Sequence, residues 1–166
     1  AFLGQELVGQ VYYRDESLRF YPFPTVNANK QVTAFSSSQQ DTDQYGMKLT
    51  LNSKPMDGWQ ITWGLDADHE RFTSNQMFFD LAQASASGGL NNKKIYTTGR
   101  YPSYDITNLA AFLQSGYDIN NLFTLNGGVR YQYTENKIDD FIGYAQQRQI
   151  AAGKATSADA IPGGSV

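Results

Sequence analysis

The sequence predicts an all-β fold: an antiparallel up-and-down meander of roughly five strands that forms part of a transmembrane β-barrel. Apolar and polar residues alternate with period two over several long segments. Tight turns alternate with long connections, and charges keep to one parity. The clearest case flanks Ser53-Lys54-Pro55-Met56-Asp57-Gly58. Before it, Tyr45, Met47, Leu49 and Leu51 alternate with Gln44, Gly46, Lys48, Thr50 and Asn52. After it, Trp59, Ile61, Trp63, Leu65 and Ala67 alternate with Gln60, Thr62, Gly64, Asp66 and Asp68. Two such segments joined by a short turn read as a β-hairpin. The polar face mixes Gln, Thr, Asn and Gly with occasional charges. The other face holds large aliphatics with aromatics near its ends, as suits a strand between lipid and a wet lumen.

In chain order, a first strand is expected from Glu6 to Arg14, with Leu7, Gly9, Val11 and Tyr13 on one face. A polar connection from Asp15 to about Gln40 follows, broken at Pro22-Phe23-Pro24. Thr42 to Asn52 then pairs with Trp59 to Arg71 through the hairpin. A long connection from Thr73 to Thr107 carries Gly88-Gly89, a turn signal and not a phosphate loop, because no Lys-Ser/Thr follows. Asn108 to Asp118 forms the fourth strand, its apolar face interrupted by Ser115, and Ile119-Asn120-Asn121-Leu122 turns it into Phe123 to Glu135. The third and fourth strands are expected to pair across their long connection. Asn136 to Val166 reads as another connection, with a short helix at Ala145 to Ala152. The connections at one end are thus tight, while those at the other run to roughly 25–35 residues, far beyond an ordinary hairpin loop.

The charge distribution agrees. Lys48, Asp66, Asp68, Asp118 and Arg130 share the polar parity, and the apolar parity stays uncharged until His69 and Arg71. A Lys or Arg facing lipid at midplane costs about 2–4 kcal/mol, so a barrel requires this segregation. Alternation alone does not say which face points outward, so a soluble lipocalin-like ligand-binding barrel remains an alternative at this point.

Composition excludes several classes. The chain has 166 residues, a formal net charge of −3 and no cysteine. There is no case for nucleic-acid binding, no thiol nucleophile and no thiolate metal site. A single histidine, His69, makes neither a zinc signature nor a catalytic triad, and no enzyme is expected. Roughly five strands are too few to close a membrane barrel, so residues 1–166 are expected to be an excerpt of one β-barrel domain.

Asn108-Leu109-Ala110-Ala111-Phe112-Leu113-Gln114-Ser115-Gly116-Tyr117, followed by Leu125-Asn126-Gly127-Gly128-Val129-Arg130-Tyr131, resembles the mid-barrel hairpin of TonB-dependent outer-membrane siderophore receptors. Trp63-Gly64-Leu65-Asp66-Ala67-Asp68-His69-Glu70-Arg71-Phe72 also looks like a strand of that family. The resemblance covers essentially the whole chain. It implies a large plugged barrel of roughly 22 strands in the bacterial outer membrane. It also implies capture of a ferric siderophore of the hydroxamate type by extracellular loops, and import energised through TonB. Iron then enters as the siderophore complex, with no cofactor bound by the protein itself. Outer-membrane lipid is the other partner. The family's plug domain and energising segment are not found in these residues. A passive porin, with similar strands and loops, is the rival reading.

Such a ferric hydroxamate–citrate complex is anionic, so cationic and phenolic donors suit it. The segment Asn91 to Tyr104 is the best candidate, with Lys93, Lys94, Tyr96, Arg100, Tyr101 and Tyr104. Its plain alternative is an exposed loop with solvated Lys and locally packed Tyr. Arg130, on the polar parity, is a further candidate, against simple pairing with a wall carboxylate. Phe78 and Phe79 are expected to pin the loop. Asp66, Asp68 and Glu70 share a face and offer oxygen ligands for a hard cation, but a wet lumen wall near the extracellular rim is the better account of them, and no metal site is expected.

Overall fold

The computed structural model describes residues 5–156 and 158–166, so residues 1–4 and 157 of the expected 1–166 span lie outside it. The elements are β1 (Glu6–Arg19), β2 (Phe23–Val26), β3 (Val32–Met56), β4 (Trp59–Phe79), α1 (Leu81–Ala86), β5 (Lys94–Gly99), β6 (Tyr104–Asn120), β7 (Phe123–Ile138), α2 (Tyr144–Ala151) and β8 (Gly164–Ser165). The strands form one antiparallel sheet in the order β1-β3-β4-β6-β7-β8, with β2 paired to β3 and β5 to β4. The five expected strands are β1, β3, β4, β6 and β7, and β4 lies beside β6 as expected.

Both tight turns are present. β3 and β4 join through Asp57-Gly58, where Gly58 has φ +75°, a left-handed conformation that favours glycine. β6 and β7 join through Asn121-Leu122, where Asn120 Oδ1 accepts from the backbone N–H of Leu122 (2.8 Å) and Phe123 (3.0 Å). Such an Asn side chain takes the place of a backbone turn.

The long connections differ from expectation. Asp15 to Gln40 is not a polar loop: β1 continues to Arg19, β2 occupies Phe23–Val26, and β3 starts at Val32. Pro24 is no breaker there. It pairs with Phe35 in a strand bonded along one edge only, where a missing N–H is tolerated. The turn between β2 and β3 is instead built by Asn27, whose Oδ1 accepts from Asn29 N (3.0 Å) and Gln31 N (2.9 Å). Thr73 to Thr107 is likewise corrected, holding the end of β4, α1, β5 and the start of β6. The Ser-rich run before Gln40 has weak strand propensity, but ladder bonding to a neighbour outweighs propensity. The tail's helix appears at Tyr144–Ala151, one residue before the expected start.

The residues cluster into two compact units. One contains the stretch ending at Arg14 with Gln44–Glu70 and Ile106–Asn136. Its apolar parity stays exposed: Leu65 is 45% exposed, Leu113 47%, Leu125 66% and Val129 66%. No dry core forms around these residues, as a lipocalin-like barrel would need. Ser115, which interrupts this face in sequence, accepts from the Trp59 indole N–H at 2.9 Å. On the polar parity, Phe112 lies against Gly64 and near two cations, Lys48 (5.7 Å to the ring centroid) and Arg130 (6.0 Å).

The other unit contains Asp15–Asp43, Arg71–Asp105 and Lys137–Val166. Its core is small. Phe78 is 2% exposed, and Ala34 and Ala84 are buried beside Ser36, Ser38, Ser74, Gln76 and Thr98. Buried polar groups need partners. Gln76 Nε2 supplies one by donating to Ser36 Oγ at 2.9 Å. α2 packs against β5.

Candidate functional site

The candidate segment is ordered by β5 and by the ends of its neighbours. Lys93 precedes β5, and its backbone carbonyl accepts from Asp80 N at 2.9 Å. Lys94 opens the strand opposite Phe79. Both lysines are exposed. Tyr96 pairs with Phe78, and their rings stack at 4.8 Å. Phe78 also meets Tyr144 (6.0 Å between ring centroids), and the Arg148 guanidinium lies 4.9 Å from the Phe78 centroid. Phe78 therefore pins the segment, as its apolar character predicts.

Arg100 follows β5 and is held twice. Its backbone N donates to Ser74 O at 3.0 Å, and Nη1 donates to Ser38 Oγ at 2.6 Å. Its guanidinium also lies 5.3 Å from the Tyr101 ring centroid. Cation–π contact of this kind orients both groups. Tyr101 remains 47% exposed. Tyr104 opens β6 and stacks on Phe72 at 4.8 Å with 13° between the rings. Lys93, Lys94 and Tyr101 thus stand exposed, Arg100 is positioned, and Tyr96 and Tyr104 are engaged as anchors.

α2 contributes a support that the sequence did not advertise. The backbone N–H of Gly99 donates to Gln147 Oε1 at 2.7 Å, and Gln147 Nε2 donates to the Ile142 carbonyl. Burial pushes the Tyr144 phenol above its ordinary range, against the opposing pull of the Arg148 charge. The one available sequence signal was the expected helix carrying Gln147 and Arg148.

Arg130 belongs to the first unit. Its Nη1 donates to Asp66 Oδ2 at 2.7 Å, and Lys48 Nζ lies 3.9 Å from Asp66 Oδ1. Asp66 is thus neutralised by two cations. Asp68 Oδ2 accepts from Asn108 Nδ2 at 2.8 Å. His69 sits on the opposite parity, with Nδ1 3.0 Å from Thr107 Oγ1 and its ring 5.2 Å from Tyr45. Among the described residues no group of three or more His, Cys, Asp or Glu side chains is arranged to hold a metal ion.

An antiparallel sheet with an exposed apolar face, a polar face and tight turns between its long strands has the make-up of a membrane β-barrel wall. The chain belongs to the TonB dependent receptor-like, beta-barrel family, which matches residues 2–161. These are outer-membrane β-barrel proteins, so the soluble-barrel alternative falls. The chain is similar to the ferric aerobactin receptor of Escherichia coli, 99% identical over 161 residues that make up 97% of this chain and 22% of that protein. It is also similar to the rhizobactin receptor of Rhizobium meliloti (strain 1021), 47% identical over 163 residues, 98% of this chain and 22% of that protein. The chain thus spans about a fifth of the length of the curated relatives it matches. Both relatives are receptors by name, not enzymes. No solved structure matches the chain.

Proposed function

We propose that this chain is a stretch of β-barrel wall, with its outer connections, from a TonB-dependent receptor that binds and imports a ferric hydroxamate siderophore. Ferric aerobactin is the favoured ligand. The observation that carries this reading is the 99% identity to a ferric aerobactin receptor over 97% of the chain. The apolar parity faces lipid and the polar parity faces the lumen. Iron arrives inside the siderophore, so the protein needs no metal ligands of its own. TonB is the energising partner, engaged through parts of the receptor beyond these residues. A passive porin has no comparable support, because both relatives carry receptor names.

Within this reading, ligand contact falls on the Lys93–Tyr104 segment. Lys93, Lys94, Arg100 and Tyr101 supply charge and phenolic hydrogen bonds, with Tyr96 and Tyr104 holding the segment in shape. Arg130 contributes less, because its guanidinium is already paired with Asp66. A charge-assisted hydrogen bond contributes roughly 1.5–3 kcal/mol, so Arg100→Ala lowers affinity on the order of tenfold or more. Asp66→Asn leaves affinity unchanged or slightly improved. The measurement is equilibrium binding of ferric aerobactin to the full-length receptor in detergent. Ser38→Ala separates charge from support, since it removes only the Arg100 anchor. Unchanged binding in Arg100→Ala with loss in Asp66→Asn would reverse the assignment.

A further inference from the structure

The second unit brings together two arginines that lie far apart in the chain. On one face of its strands, Gln76 meets Ser36, Phe78 stacks on Tyr96, and Arg100 donates to Ser38. α2 packs on β5 beside this face, held by Gly99 N donating to Gln147 Oε1 at 2.7 Å. Tyr144 and Arg148 are four residues apart in α2, so they share one side of the helix. That side meets Phe78: the Tyr144 ring lies 6.0 Å from it and the Arg148 guanidinium 4.9 Å. Both arginines are half-buried, and both charges reach the Tyr144 phenol. Burial raises that phenol above its ordinary range, while the Arg148 charge and, less strongly, the Arg100 charge pull against it.

Neither arginine has an acidic partner. Lys48, Arg71 and Arg130 each lie against a carboxylate. Among the described residues, no ion pair engages Arg100 or Arg148. Arg100 has the Ser38 hydroxyl and the Tyr101 ring, and Arg148 has the rings of Phe78 and Tyr144. Ring faces and a hydroxyl leave a full positive charge uncompensated. Two such charges acting on one half-buried phenol repel each other, and an anion relieves the repulsion. A guanidinium presents five N–H donors in a planar fork, which a carboxylate matches with two parallel bonds. Arg148 also stands in the last turn of α2, where a cation suits the helix C-terminus. That supporting role needs no second arginine beside it.

We propose that Arg148 joins Arg100 in binding a carboxylate of the ferric siderophore, which makes α2 part of the capture site and a determinant of specificity for carboxylate-bearing ligands. This rests on the siderophore reading above.

The test is equilibrium binding to the full-length receptor in detergent. One ligand is ferric aerobactin, and the other is the same complex with methyl esters on the carboxylates that do not coordinate iron. Arg148→Gln weakens the acid form about tenfold, the loss expected from one charge-assisted hydrogen bond, and changes the ester less than about twofold. Arg148→Lys keeps the charge but not the fork, and recovers part of the loss. If Arg148→Gln fails to reach the membrane, Arg148→Lys carries the same comparison of acid with ester. Gln147→Ala loosens α2 without removing charge and weakens both forms alike. Equal loss of acid and ester in Arg148→Gln makes the arginine a helix support only and overturns the proposal, as does unchanged binding of both. A parent receptor that binds no ferric aerobactin overturns the siderophore reading and this proposal with it, whereas the preceding outcomes overturn this proposal alone.

Discussion

Gly64 has a hydrogen where any other residue would carry carbon, and the Phe112 ring takes that space. A Cβ on Gly64 would lie 2.6 Å from Phe112 Cζ and also clash with the Leu49 carbonyl oxygen. Both distances are shorter than packed atoms allow, so backbone or ring must move. Overpacking of this kind costs about 1–3 kcal/mol. Gly64→Ala therefore lowers the unfolding free energy of the receptor in urea by that amount. It also disturbs the Lys48 and Arg130 contacts with the ring. Gly64→Ala as stable as the parent would show that Phe112 does not depend on this space. The alternation places Gly64 on the polar parity and says nothing of its partner. That partner is 48 positions away in the chain and is itself apolar on a polar face, so no local pattern identifies it.

At the scale of elements, α2 shows how a short helix is held by what it touches. Its eight residues are too few to be stable alone, and its N-cap residue, Gly143, makes no side-chain cap bond. Gln147 bonding to Gly99 and the Phe78–Tyr144–Arg148 contacts supply the missing stability. Tyr144 adds a pH dependence. Its folded-state phenol titrates above the ordinary value of about 10 because burial disfavours the phenolate. The neutral form is therefore the one the docked helix favours. That contribution is fully present below the ordinary phenol pKa and is lost as pH rises through the raised folded value. Hydrogen exchange of α2 amides should accelerate beyond the intrinsic base-catalysed rate only above about pH 10, and Tyr144→Phe should remove the excess. An equal excess in the variant would assign the effect to another group. The helix was legible from the sequence to within one residue, while its docking was not, since the contact with Gly99 spans 48 residues.

For the whole molecule, the two faces make opposite demands. Leu113 and Gln114 are neighbours in β6 on opposite parities. With the apolar parity toward lipid, Leu113→Arg costs about 2–4 kcal/mol at bilayer midplane depth, whereas Gln114→Arg enters a wet environment. Cells carrying Leu113→Arg should hold less folded receptor in the outer membrane, and Gln114→Arg should accumulate near the parental level. Quantitative blotting of outer-membrane fractions reads this directly. The reverse order would mean that the faces are assigned the wrong way round. The candidate residues were partly legible too. Lys93, Lys94 and Tyr101 are as exposed as a loop reading implies, but the stacking of Tyr96 on Phe78 and of Tyr104 on Phe72 depends on strands that the sequence presented as connection.

The sequence by itself determined the central strands, their order along the chain, their tight turns and which side chains share a face. The pleat repeats every two residues, and separating lipid from water is worth enough per side chain to impose that period on the sequence. Tertiary structure decided how far those strands run, that β2, β5 and β8 exist, and what holds the candidate segment. Ser36 meets Gln76 across 40 residues and Ser38 meets Arg100 across 62. Serine and glutamine have little intrinsic preference for strand, so these stretches become strand only where a distant neighbour completes the ladder and satisfies the buried hydroxyls, and a local pattern carries no record of that neighbour.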